Sequence, residues 1–333
     1  MDEEVKNKTI DSLKLIFAVT VVAMHGFLLE SQYNRYILGI LTNGLFRSAV
    51  PFFFIVSGYL FFKTIKNNTT KKWFSHIIKV YLIWSIIYAY KLLAILQIEN
   101  ASILRKVYLI IRAEITGTAQ LWFIPALIIT AFICLLLRNS IKCKPKITLV
   151  FISILWITGV LLNWRFVIID SPNSFFYRNG LFYGIPMFFI GYLIASNDFI
   201  IAAVQGKLKA LLLLSLILSA YESLAWTKFI NDSGSHFINS MDMTFSAPFL
   251  STVLFLLCLR RPGIIALSGL ERLTSTFMYY SHILFLDAAY LVLYYCSSWS
   301  GVNIPLKEMA TVATVLLIIT CCFFFQKTIK RLV

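Results

Sequence analysis

Long apolar runs alternate with short polar connections along the whole chain. The runs lie near residues 10–29, 47–63, 74–97, 120–137, 147–163, 180–196, 208–226, 244–260, 273–295 and 309–326. Each approaches the roughly 20 residues that an α-helix needs to cross a bilayer. The pattern predicts an all-α fold: a polytopic integral membrane helix bundle of about ten transmembrane helices, forming a single domain over residues 1–333. The longest connection, 98–119, places Leu104, Val107, Tyr108, Ile111 and Ile115 at helical spacing. That spacing predicts an amphipathic helix lying on the outer surface. Two other connections, near 164–179 and 227–243, carry Arg165, Asp170, Arg178, Asn179, Lys228, Asp232 and His236. They are polar enough to line a mouth.

The first run departs from its own pattern. Ile10 to Leu29 is almost wholly apolar, yet it holds Asp11, Lys14 and His25. An ionisable group inside a spanning helix costs at least about 2.5 kcal/mol on insertion scales, so it usually faces a cavity or the bundle interior. Lys14 and His25 lie three turns plus about 20° apart at about 100° per residue, so they share a face roughly 16 Å long. Asp11, three residues before Lys14, shares it too. A polar stripe therefore runs up a greasy helix. A blander reading has Lys14 snorkelling to the interface and the rest packing against neighbours.

Charge then orients the bundle. The chain of 333 residues is 59% hydrophobic and carries a net charge of +15. With the N-terminus inside, 18 of the 30 Lys and Arg residues fall on inner segments and nine on outer ones. That bias accounts for the charge through the positive-inside rule, with both termini cytoplasmic, and requires no nucleic acid. The start, MDEEVKNKT, lacks the basic n-region and small-residue cleavage site of a signal peptide. The six cysteines have no metal-ligand spacing, and no structural disulfide is expected.

The second run, FRSAVPFFFIVSGYLFFK, begins at Phe46. Pro51 is tolerated near a helix start, and Ser57-Gly58 permits close helix approach. Arg47 sits at about the depth of His25, where it can hold a polar or anionic group. The pairing of IDSLKLIFAVTVVAMHG with VPFFFIVSGYLFF resembles the acyltransferase-3 family of integral membrane enzymes. QLWFIPALI, YGIPMFFIGYLIA and TFMYYSHILF resemble later landmarks of that family, so the likeness covers nearly the whole chain.

The resemblance implies an O-acyltransferase of the bacterial inner membrane. It would transfer acetyl from acetyl-CoA to a hydroxyl of a cell-surface carbohydrate such as an O-antigen or exopolysaccharide, free or lipid-linked. Acetyl-CoA is a co-substrate; no permanently bound cofactor and no metal are implied. The family's basic residue, ten intervening residues and His are present as Lys14 and His25, and His25 is the implied catalytic residue. The family's Arg-x-x-Arg, tied to donor binding, is replaced by His76-Ile77-Ile78-Lys79, preceded by Lys71 and Lys72. Neither position offers an arginine's bidentate fork. Asp11, Lys14, His76 and Lys79 are therefore the expected donor-site residues. Arg47, Arg178, Glu222 and His282 are the expected acceptor-binding or supporting residues. Glu222 could orient His25, bind acceptor hydroxyls or pair with a cation; His282 could act directly or bond a neighbouring helix. Intramembrane charges also suit a transporter or flippase of a lipid-linked sugar, and a non-catalytic subunit of a polysaccharide synthase is the remaining alternative.

Overall fold

A computed structural model describes residues 7–26, 35–98, 102–169, 173–204, 206–233, 241–263, 269–300 and 305–333. Asp170 and His236 lie outside the described residues. Regular structure among the described residues is entirely helical. Helix α1 (Lys8–His25) comes first. The short helix Arg35–Gly39, a π-helical turn (Ile40–Gly44) and a 3-10 turn (Leu45–Ser48) then lead into α2 (Ala49–Lys66). There follow α3 (Thr70–Ile87), α4 (Ile103–Thr116), α5 (Phe123–Cys143), α6 (Pro145–Ile168), α7 (Ile185–Ser196), α8 (Leu208–Ser233), α9 (Ala247–Arg260), α10 (Glu271–Ser300) and α11 (Leu306–Phe324).

Among the described residues seven helices are long and apolar enough to cross a membrane, or eight if one bent pair counts as a span. Fewer helices than the expected ten meet that measure, and the reasons are local. Helix α1 carries Lys8, Asp11 and Lys14 within 18 residues. Helix α9 has only 14 residues. The run Gly180–Ser196 breaks at Asn197 and turns by 94° into Asp198–Val204. The outward faces fit a lipid solvent: Leu82, Ile86, Ile154, Leu161, Leu213 and Ile217 are exposed. Helix α4 is the expected amphipathic helix, with Leu104, Val107, Tyr108, Ile111 and Ile115 exposed.

The chain divides into two compact units, Met1–Phe53 with Ile201–Val333, and Phe54–Ile200. In the first unit α10 packs along both α1 and α11, and α8 packs on α9. Phe17 of α1 meets Phe52 of α2 at 5.1 Å, and Phe52 meets Phe255 of α9 at 6.2 Å. The start of α1 is tied to the end of α9. Asn7 caps α1 by accepting from the Ile10 N–H, and its Nδ2 donates to the Cys258 carbonyl at 2.9 Å. The Thr9 hydroxyl donates to the Arg261 carbonyl at 2.5 Å. Carbonyls left without intrahelical partners at a helix end are thereby satisfied.

The second unit is built on aromatic packing and two glycines. Phe54 meets Phe123 at 4.3 Å, Phe61 meets Phe188 at 5.5 Å, and Trp156 meets Tyr183 at 5.2 Å. Gly58 of α2 lies against the Phe188 backbone, and Gly191 of α7 lies against the Ile55 carbonyl. The close approach expected at Ser57-Gly58 thus has its partner in α7, and a β-carbon at either glycine would strike backbone. Gly191→Val is expected to cost at least the roughly 1–3 kcal/mol typical of overpacking. The check is the thermal unfolding midpoint in detergent, and a wild-type midpoint would contradict this crossing.

Candidate functional site

Helix α1 ends at His25, and its ring centroid lies 5.1 Å from that of His282 in α10, with the planes 40° apart. Lys14 lies eleven residues back along α1, and Arg272 lies ten residues back along α10. At 1.5 Å per residue these are drops of about 16 and 15 Å. The charges that act on Lys14 are those of Asp11 and Arg272. Helices α1 and α10 therefore run parallel and in register. Two histidines form the rung at one end, and Lys14, Asp11 and Arg272 form the rung at the other. The hydrogen bonds of Asn7 and Thr9 to the Cys258 and Arg261 carbonyls fix the start of α1 against the end of α9.

The rungs differ in access. His25 is exposed, Lys14 and Asp11 are half-buried, and Arg272 is exposed. His282 is fully buried. Its Nδ1 lies 2.9 Å from both the Met278 and the Tyr279 carbonyl oxygens. Carbonyls only accept, so Nδ1 carries the hydrogen and the neutral ring keeps its lone pair on Nε2.

Arg47 and Glu222 converge on one segment, Met241 to Ser246, which leads into α9. Arg47 pairs with Asp242 at 2.9 Å in a salt bridge. The Glu222 carboxylate accepts from the Phe245 N–H at 2.7 Å and the Ser246 N–H at 2.8 Å. The Thr244 hydroxyl accepts from the Ala247 N–H at 3.2 Å. A carboxylate on the donors at a helix start satisfies them and complements the helix dipole. Of the roles open to Glu222 in the sequence, the observed contacts are with this helix start. Met241 and Met243 beside it are fully buried, and Ser251 of α9 donates to the Ser48 carbonyl at 2.9 Å. The first unit thus brings Asp11, Lys14, His25 and His282 onto one two-helix path, while Arg47 and Glu222 brace the start of α9.

The remaining expected residues belong to the second unit. His76 and Lys79 are exposed on α3, and Lys72 shares their helix face. The Arg178 guanidinium lies 5.2 Å from the Trp122 ring centroid, a cation–π distance. Asp242 and Arg272 are the residues that sequence reasoning missed. Arg272 was visible only as one more inner-loop cation, because nothing in a single sequence gives the register of α10 on α1. Asp242 precedes the Thr244–Pro248 stretch, whose capping residue and early proline do mark a helix start.

A model of the acyltransferase-3 family, described as an acyltransferase domain, matches residues 7–326. An amino-acid racemase of Enterococcus faecalis is 30% identical over 198 residues, a match that covers 52% of this chain and 27% of that protein. The chain therefore spans well under two thirds of that curated relative's length. No solved structure matches it. The family match covers nearly all of both compact units and every expected site residue, and the apolar helices make the protein multi-pass; the chain belongs to the acyltransferase-3 family of membrane proteins.

Proposed function

We propose that this acyltransferase moves an acetyl group from cytoplasmic acetyl-CoA to a hydroxyl of a cell-surface carbohydrate. The observation that carries this reading is the parallel α1–α10 pair, with histidines at one end and cations at the other. In this reading α1, α9 and the bent pair Gly180–Ser196 with Asp198–Val204 join the seven longer helices as spans, giving ten in a bacterial inner membrane with both termini cytoplasmic. The anionic nucleotide of the donor meets Lys14 and Arg272 of the first unit; His76 and Lys79 remain proposed donor-binding residues on their place in the sequence pattern alone. Arg272 supplies the planar fork that the His76–Lys79 stretch lacks. The acyl-bearing arm extends along α1 toward His25. There the imidazole takes the acceptor hydroxyl proton as the oxygen attacks the thioester carbonyl. A C–O bond forms, the C–S bond breaks, and the proton passes to the departing thiolate to give free CoA. Arg47, Glu222 and Arg178 support the acceptor side in this scheme, the first two by fixing the start of α9.

Replacing Lys14, Arg272 or Lys79 by Ala is expected to weaken acetyl-CoA binding about 10-fold per charge-assisted contact, more steeply at low salt. Acceptor affinity should change little. Donor titration of the purified variants checks this, and unchanged affinity in all of them would remove the donor assignment.

A transporter of a lipid-linked sugar is the second reading, favoured by the 94° break at Asn197. That break ends a helix rather than interrupting one at mid-span. Racemisation is not carried over, because most of the racemase relative lies outside the match. Mass spectrometry of surface glycans from cells with and without the gene separates the readings. Loss of about one acetyl mass per modified unit supports acyl transfer, and loss of the whole polymer supports transport.

A further inference from the structure

We infer that helix α4 carries a binding site for an anionic phospholipid: Arg105 and Arg112 hold the headgroup phosphate while the apolar stripe beside them lies against the acyl chains. The inference goes beyond acyl transfer and does not depend on it. It begins from how α4 is held. The Lys106 Nζ donates to the Leu96 carbonyl at 2.7 Å, and the Tyr81 hydroxyl donates to the Glu114 carbonyl. The partners step back from residue 96 to residue 81 as α4 advances from 106 to 114, so α4 runs back beside the span Thr70–Leu96. Half-buried Lys106, Leu109, Ile110 and Ala113 form its protein-facing side.

The opposite side is apolar. At about 100° per residue Leu104, Tyr108, Ile111 and Ile115 fall within roughly 60° of one another, and all four are exposed. A stripe of this kind beside a spanning helix faces lipid. Charge is sorted along its two edges. Arg105 and Arg112 share one edge, about 20° apart around the helix and roughly 10 Å apart along it. Glu114 lies on the other edge. Arg105 is exposed, and among the described residues neither guanidinium has a carboxylate partner. The Arg112 guanidinium lies 4.4 Å from the Phe175 ring centroid.

That placement selects the ligand. A cation at a lipid-facing edge turns toward the headgroup level, where the anions are phosphates. A guanidinium presents planar N–H donors that match phosphate oxygens two at a time, and stacking on a ring leaves those in-plane donors open. Phe175 therefore steadies Arg112 without using up its donors. An anion without acyl chains would leave the stripe uncovered, and a zwitterionic lipid would bring its own ammonium group to the two arginines. An anionic phospholipid fits both features, with its chains on the stripe and its phosphate on the edge.

Hydrogen–deuterium exchange of the full-length protein in phosphatidylcholine nanodiscs, with and without phosphatidylglycerol, tests this on the amides of Ile103–Thr116. Reading α4 alone sets aside lipid held by cations elsewhere. In wild type phosphatidylglycerol should slow exchange there, and added salt should shrink the effect. Arg105→Gln and Arg112→Gln should each raise the half-protecting lipid fraction about 5-fold, the worth of one basic residue near an anionic surface. The double Gln variant should show no dependence on the lipid. Arg105→Lys with Arg112→Lys keeps both charges and should keep much of the protection, which separates lost charge from a damaged helix. Wild-type exchange in α4 that is the same with and without phosphatidylglycerol overturns the inference. So does protection that survives in the double Gln variant, or that a polyprenyl diphosphate gives and phosphatidylglycerol does not.

Discussion

His25→Ala is expected to insert and fold normally while losing acyl transfer by roughly 10² to 10⁴-fold, the range for removal of a general base. The two halves of this expectation come from different facts. His25 is the last residue of α1 and is exposed, so shortening it opens no core cavity. Surface substitutions of that kind usually change stability by less than about 0.5 kcal/mol. An imidazole is the side chain best suited to take a proton near neutral pH, and the other ionisable groups of the α1 stripe lie at the far rung, Lys14 about 16 Å and Asp11 about 21 Å away. His25→Gln keeps a hydrogen-bonding group of similar reach but cannot carry the proton, and it should be nearly as inactive. Acyl transfer by both variants, measured at equal amounts of folded protein, is the check. Near-wild-type turnover by His25→Ala would remove the assignment.

Arg47→Ala should be the most destabilising single change at the site. Arg47 and Asp242 form a pair whose side chains are only 13% and 16% exposed. Removing the guanidinium leaves a carboxylate beside the fully buried Met241 and Met243. Breaking a buried pair from one side costs about 3–5 kcal/mol, because the remaining charge loses its ion-pair partner in a poorly solvated place. The residual exposure of both partners puts the expected cost near the lower figure, about 3 kcal/mol. Removing both charges together, as Arg47→Met with Asp242→Leu, should restore most of the loss. Thermal unfolding midpoints of the two single variants and the double variant measure the coupling. A single variant that unfolds at the wild-type temperature would show that the pair does not hold the start of α9.

The helices themselves were legible because a bilayer leaves few choices: a long apolar run must satisfy its own backbone, and only a helix does so alone. Each of the ten apolar runs contains a helix, and the ends shifted where local chemistry intervened. Helix α8 continues to Ser233 and so takes up part of the connection expected from residue 227. Fewer than ten helices are singly long and apolar enough to span because α1 concentrates three charged residues within its 18 residues and α9 is short. The polar stripe of α1 was readable from helical periodicity within one segment. Its partners were not. Arg272 comes within electrostatic range of Lys14 only through the parallel register of two helices more than 250 residues apart in sequence. Glu222 was visible as a carboxylate in an apolar run, but its partners are backbone N–H groups 23 and 24 residues later. Backbone donors leave no signature in residue identity, and so the alternatives for Glu222 stayed open until the fold was known.

The central claim is that one path along α1 joins a donor-binding end to a histidine where acyl transfer occurs. Its most direct test uses the purified full-length chain in sealed vesicles, with acetyl-labelled CoA supplied on the side of Lys14 and a carbohydrate acceptor on the side of His25. The account predicts that label moves to the carbohydrate in wild type, falls by roughly 10² to 10⁴-fold in His25→Ala, and in Lys14→Ala returns toward wild type as acetyl-CoA is raised. Label transfer that is indifferent to His25, or carbohydrate crossing the vesicle membrane with no label attached, would contradict it.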